Sequence, residues 1–364
     1  MLSRLLSHDL PRSRPLAVVL VFLFLALALA PFLFHGAKAM DVAAKILIFS
    51  VLVASFDLLL GFTGIVSFAH TMFFGIGAYG IAISTNQLGP TWLALLVGVG
   101  AALLMSFCLS LLVGLFSLRV RAIFFAMITL AVAAAFQTLA SQLSDWTGGE
   151  DGLSFKIPEI ISPGFEFSNL PLWGVNLDGK LLCYYLLFGL TVLLFLALLR
   201  IVNSPCGKVL QAIRENEFRA EAIGYRVVAF RTASSVLSAL FATLAGAMLA
   251  LWLRYNGPDT SLSFEIMMDV LLIVVIGGMG TLYGALVGAA LFLAAQSYLQ
   301  DLLKLASDAV AGLPWLAALL SPDRWLLWLG LLFVLSVYYF PTGVVGRLRT
   351  STLQNAGNTA PGPR

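Results

Sequence analysis

Asp57, His70 and Asp269 are ionisable side chains that fall inside the long apolar runs of this sequence. An acid or imidazole held away from water binds a proton, an ion or a fixed hydrogen-bond partner, and such groups mark the ion paths of pumps and carriers. Here they are few and stand apart. Asp57 lies near one end of its run and admits two readings, an ion- or proton-binding carboxylate or a group capping or snorkelling at the water boundary. His70 has none of the partners that a metal site or catalytic relay needs, so a hydrogen-bonded interior histidine is the plainer reading. Cys108, Cys183 and Cys206 show no CxxC spacing and no histidine cluster, which leaves no sign of a disulfide or a zinc site. Gly207-Lys208 is followed by Val209 and lacks the upstream glycine, so the phosphate-cradling GxxxxGK[ST] pattern is absent. No paired acids or Cys/His pair occurs within an apolar run, and an intramembrane enzyme ranks last among the function classes.

The elements that carry these residues are spans. Hydrophobic residues make up 60% of the chain and charged residues 11%, with a mean hydropathy of +0.98; soluble domains carry about 25% charged residues. The apolar runs are too long and unalternating for barrel strands. The fold class is therefore all-α, a polytopic helical integral membrane protein with about ten transmembrane helices. The runs are Pro15–Phe34, Val42–Leu60, Val66–Thr85, Trp92–Phe116, Ala122–Gln142, Leu181–Arg200, Phe230–Leu253, Met267–Ile276 continuing toward Met279, Gly284–Gln300 and Trp325–Phe340. The first is longer than the apolar core of a secretory signal, despite the small residues Ala37 and Ala39 after it, and reads as an uncleaved anchor.

Charge bias sets the orientation. With the N-terminus inside, 14 of the 21 lysines and arginines face the cytoplasm, among them Arg4, Arg12, Arg119, Arg121, Arg214, Arg219, Arg231, Arg347 and Arg349. Both termini then lie in the cytoplasm, and the acids Glu150, Asp151, Glu159, Glu166 and Asp178 gather in one outer loop.

Two glycine clusters sit at the expected cytoplasmic edge. Gly64, Ser67, Thr71, Gly75 and Ala78 are read as one small-residue stripe along a helix, and Gly280, Gly284 and Gly288, after Gly277-Gly278, as another. Such stripes let helices approach closely in lipid. They line a central path or simply pack a bundle core, and together they hint at a parallel internal repeat. The outer loop opens with Asp145-Trp146-Thr147-Gly148-Gly149-Glu150-Asp151-Gly152, whose glycines, with Pro158, Pro163 and Pro171, favour turns. Its length and the aromatics Phe155, Phe165, Phe167 and Trp173 suit either a solvated connection or a docking surface.

One segment is made for water. Ser204 is a good N-cap, Pro205 fits the first helical turn, and Gly224 is a stop. Between them Val209, Ile213, Ala220 and Ile223 are expected to share one face, with Glu215 four residues before Arg219. Glu215, Glu217 and Glu221 dilute the positive charge, which favours a protein groove over anionic lipid.

Gly207 through Gly224 resembles the coupling loop of ABC importer permeases, and more narrowly the LivM-type permease of branched-chain (hydrophobic) amino acid importers. Three further pieces agree in order: Gly61-Phe62-Thr63-Gly64 through Ser67, His70 and Tyr79; Thr147-Gly148-Gly149-Glu150-Asp151-Gly152; and Gly277-Gly278-Met279-Gly280-Thr281-Leu282-Tyr283-Gly284. The similarity covers roughly Asp41 to Gly346 and ends in Phe340-Pro341-Thr342-Gly343. Phe68-Ala69 departs from the more usual Leu-Gly before the histidine, a difference that bears on substrate. The implied division is a basic segment and first helix (1–41), a permease core (42–346) with an outer loop 144–180 and a cytoplasmic coupling loop 202–229, and a flexible tail (347–364).

The resemblance implies a non-enzymatic permease of a bacterial inner membrane. Its expected partners are two cytoplasmic ATPases that bind ATP and Mg, a related second permease, an external substrate-binding protein and the lipid bilayer. No cofactor is expected on this chain, and no nucleic acid. The implied coupling residues are Gly207, Arg214, Glu215, Asn216, Glu217, Arg219, Ala220, Glu221 and Gly224. The implied path residues are Thr63, Gly64, Ser67, His70, Gly278, Gly280 and Thr281, and the receptor-docking residues Thr147, Gly148, Gly149, Asp151 and Gly152. Within the same family, urea, short amides or small carboxylates are alternative cargoes. An ion-coupled secondary transporter is a more distant alternative.

Overall fold

The computed structural model describes residues 14–33, 36–117, 122–165, 178–309 and 319–347. Arg4, Arg12, Arg119, Arg121, Glu166, Phe167, Pro171, Trp173, Arg349 and the tail beyond Arg347 lie outside the described residues.

The helices are α1 (Arg14–Leu33), α2 (Ala37–Thr63), α3 (His70–Leu88), α4 (Trp92–Ser117), α5 (Ala122–Gln142), the single turn α6 (Ser144–Thr147), α7 (Gly179–Asn203), α8 (Pro205–Glu215), α9 (Glu217–Ala222), α10 (Val227–Leu253), the single turn α11 (Pro258–Ser261), α12 (Phe264–Gly277), α13 (Leu282–Ala309) and α14 (Trp325–Tyr339). Nine helical stretches among the described residues are long and apolar enough to cross a membrane. The chain is a multi-pass membrane protein. The remaining expected span, Val66–Thr85, corresponds to α3, which starts later, at His70. The reason is a break: Gly64 caps α2 in the left-handed region (φ 75°), and residues 64–69 run outside any helix. Gly64 and Ser67 therefore do not share a helical stripe with Thr71, Gly75 and Ala78. The eighth span is also short, 14 residues in α12, and the turn α11 extends that stretch to 20 residues.

α2, α3 and α10 form the buried centre. α10 lies against α2, α3 and α4, while α13 packs on α2 and α12 and α7 packs on α2. α1, α5 and α14 keep most of their apolar surface outward, as helices facing hydrocarbon do. Close approach replaces the hydrophobic drive at the centre. A Cβ on Gly246 would fall 1.8 Å from the Phe74 carbonyl oxygen, and one on Gly77 1.9 Å from that of Thr243. α12 and α13 touch in the same way, Gly277 against Gly284 and Gly288 against Ile273.

The two ends of the bundle differ. At one end Lys180 pairs with Asp41 and Lys38 with Asp301. There, too, β1 (Leu153–Ser154) pairs antiparallel with β2 (Tyr255–Asn256). At the other end, 27 residues along α2 and so about 40 Å away, lie α8 and α9.

Candidate functional site

α8 and α9 form a bent lever. Ser204 Oγ accepts the Gly207 N–H at 3.4 Å, Pro205 occupies the first turn, and Gly207 leaves no room for a side chain beside the Val202 carbonyl. The segment is not one continuous helix. Asn216 is extended (φ −158°, ψ 102°) and its Oδ1 caps α9 by accepting the Arg219 N–H at 2.9 Å. A short polar side chain that competes for backbone N–H groups favours such an elbow over helix continuation. The elbow also separates Glu215 and Arg219, whose expected helical pairing therefore does not exist. Glu217 instead takes a two-pronged hydrogen bond from Arg231 of α10, at 2.8 and 3.0 Å. Gly224 (φ 101°) follows α9 and Tyr225 N–H reaches back to the Ala220 carbonyl, closing the end as expected.

Leu210 seats α8 in the main core, and Ile213, Ala220 and Val227 form a small apolar cluster beneath the elbow. Ile223 does not join that face. It is 71% exposed, and Phe218, just past the elbow, is 86% exposed. Arg219 and Glu221 are exposed beside them. Burial raises the thiol pKa of Cys206, at the start of the lever.

Arg214 turns the other way. Its Nη1 donates to the Gly61 carbonyl at the C-terminal end of α2. Its aliphatic stem runs past Gly64, where a Cβ would lie 3.1 Å from Cγ. Asp57, buried one turn earlier, accepts the Gly280 N–H at 2.8 Å. The carboxylate thus caps a backbone donor in the turn between α12 and α13. Thr281 Oγ1 donates to the Gly278 carbonyl at 2.7 Å within that turn. Gly278 (φ 113°) packs against Gly343 (φ 76°), so the Phe340-Pro341-Thr342-Gly343 segment closes the far side of the turn. Gly61, Gln211, Arg214, Glu215 and Gly280 line a half-open cleft of about 320 Å³.

The other path candidates are interior. Thr63 Oγ1 lies 2.9 Å from Ser234 Oγ. His70 Nε2 lies 2.8 Å from Ser238 Oγ, which itself donates to the Ser55 carbonyl, and the imidazole meets the Phe56 ring edge-on. Ser67 is buried, its hydroxyl accepting the Ala69 N–H. Sequence reasoning missed Ser234, Ser238 and Thr243, the last bonded to Ser106 across to α4. Their signal was the row of small hydroxyl residues in the apolar run of α10.

At the opposite end the outer loop is tightly built. Thr147 is buried and donates to the Ala140 and Leu143 carbonyls. Gly148, Gly149 and Gly152 all have positive φ, and Gly152 sits against Asn256 and Gly257. Tyr255 donates to the Asp151 carbonyl at 3.0 Å. Asp145, Trp146, Glu150 and Asp151 remain exposed around this knot.

The sequence profile of the family described as branched-chain amino acid transport system / permease component matches residues 38–337. The chain belongs to this family. It is 27% identical over 298 residues to the high-affinity branched-chain amino acid transport system permease protein LivM of Salmonella typhimurium, covering 78% of this chain and 69% of that one. The Escherichia coli LivM protein gives 27% over 296 residues, 78% and 68%. A probable branched-chain amino acid transport permease protein LivM of Methanocaldococcus jannaschii gives 24% over 300 residues, 78% and 80%. No solved structure matches this chain.

Proposed function

We propose that this chain is the membrane subunit of an ATP-driven importer that carries branched-chain or other hydrophobic amino acids into the cytoplasm of a cell bounded by its inner membrane. The observation that carries this reading is the lever. A short charged helix pair is firmly seated on a lipid-embedded bundle, yet it holds a phenylalanine almost entirely in water. A large exposed apolar side chain on a charged, ordered element marks a docking point. The partner is a cytoplasmic ATPase, one of two, which binds ATP and Mg; this chain binds neither. A related second permease completes the passage, and an external binding protein docks on the outer knot around Asp151. Substrate choice among hydrophobic amino acids, urea or short amides follows from that receptor. For the ion-coupled alternative, Asp57 Oδ1 is already committed to the Gly280 N–H, and only its Oδ2 is left over.

Burying one phenylalanine stabilises a contact by about 1.5–3 kcal/mol, so Phe218→Ala should weaken ATPase association by about tenfold or more. The measurement is retention of the ATPase on the purified permease, with uptake of radiolabelled leucine into proteoliposomes. Uptake by the unaltered complex that continues without ATP and follows an ion gradient would refute the importer reading.

A further inference from the structure

We propose that Asp57 and Arg214 are positioning residues that latch the lever to the turn between α12 and α13, so that lever movement is passed into the bundle through this contact. The proposal rests on the importer reading above. Three glycines make the latch possible. A Cβ on Gly61 would fall 2.1 Å from Asp57 Oδ1 and 2.4 Å from the Gly280 nitrogen, so α2, the carboxylate and the turn meet where no side chain fits. A Cβ on Gly280 would lie 3.1 Å from both Arg214 Nη1 and the Gly61 oxygen. Gly64 leaves a shelf for the arginine stem. The guanidinium therefore lies at the seam between the end of α2 and the turn.

The rest of α8 does not supply the same connection. Leu210 and Ile213 seat it among α2, α7 and α10, while a cleft opens between α8 and the turn. Arg214 lines that cleft, with its Nη1 bonded to the Gly61 carbonyl of α2 beside Gly280, whose N–H Asp57 holds from the same helix. On its far side the turn is held by Gly343 against Gly278. Hydrogen bonds to fixed backbone groups are directional, whereas an apolar seat permits sliding.

The test uses the complete complex of permeases, ATPases and receptor in proteoliposomes, with radiolabelled leucine as probe, and reads leucine transported per ATP hydrolysed. Asp57→Ala and Arg214→Ala should each lower that ratio at least fivefold, with ATPase subunits retained and hydrolysis within about twofold of normal. Asp57→Asn keeps an acceptor for the Gly280 N–H and Arg214→Lys keeps one donor, so both should recover much of the ratio. If Asp57→Ala does not accumulate, the half-exposed Arg214 variants give the same reading. An unchanged ratio overturns the latch, and so does loss of the ATPase from Arg214→Ala, which would make that arginine a direct docking contact. ATP-independent uptake by the unaltered complex is read separately and strikes the importer assignment itself.

Discussion

Replacing Gly77 or Gly246 with alanine adds one methyl group at the tightest contact between α3 and α10. The new carbon would lie 1.9 Å from the Thr243 oxygen in the first case and 1.8 Å from the Phe74 oxygen in the second. Both obstacles are backbone atoms, so no rotamer change relieves them. Carbon–oxygen contacts settle at about 3.3–3.6 Å, and the helices must therefore part by roughly 1.5 Å near the substitution. A gap of about 0.5–1 Å already forfeits a quarter to a half of each dispersion contact along the seam, and overpacking of this kind costs about 1–3 kcal/mol. Helix propensity returns up to about 1 kcal/mol for Gly→Ala, which leaves a net loss of about 1–2 kcal/mol for each variant. The two sites face one another across a single seam, so one separation accommodates both methyl groups. The double variant should lose less than the sum of the singles, with an interaction of about 0.5 kcal/mol or more. Reversible unfolding in mixed micelles, titrated with a denaturing detergent and followed by tryptophan fluorescence and circular dichroism, measures all three. A single-variant cost under about 0.5 kcal/mol, or strict additivity within error, would refute this account of the α3–α10 seam.

Two further expectations concern the lever. Asn216→Ala removes the cap of α9 at a cost of about 1 kcal/mol, so the amide of Arg219, which the cap holds, should lose about fivefold in hydrogen-exchange protection; Asn216→Asp should keep it, and unchanged protection in the alanine variant would count against the elbow. Cys206 should react with a membrane-impermeant maleimide in inside-out vesicles and not in right-side-out ones, in a chain carrying Cys108→Ser, with the opposite pattern rejecting the cytoplasmic placement of the lever. Because burial raises the pKa of this thiol, the neutral form persists to higher pH than for a free cysteine, ordinarily near about 8.5. Its labelling rate should go on climbing about tenfold per pH unit through that value instead of levelling off.

Most of the spans were legible because long apolar runs have one solution in lipid, and α5 begins and ends where its run does. The start of α3 was not. Ile65, Val66 and Phe68 look like helix to any hydropathy reading, yet they cross a break opened by Gly64 in the left-handed region. Hydropathy records how apolar a segment is and says nothing about which backbone groups it leaves unpaired. The elbow at Asn216 was missed for a related reason: its cap geometry competes with helix continuation, and sequence alone weighed only the charges around it. The latch shows the limit most plainly. Arg214 and Asp57 were both singled out in the sequence, one as a coupling residue through the family resemblance and one by type as a capping or ion-binding acid. What joins them is a carbonyl 153 positions from the arginine and an N–H 223 positions from the acid. Backbone groups carry no letter of their own. Gly61, Gly64 and Gly280 did signal bare backbone at this end of the bundle, and bare backbone in a membrane protein demands a partner. The missing step is therefore a matching problem between exposed backbone and the polar side chains within reach of it, and the arginine on the lever, exposed on its outer side, is the one that solves it here.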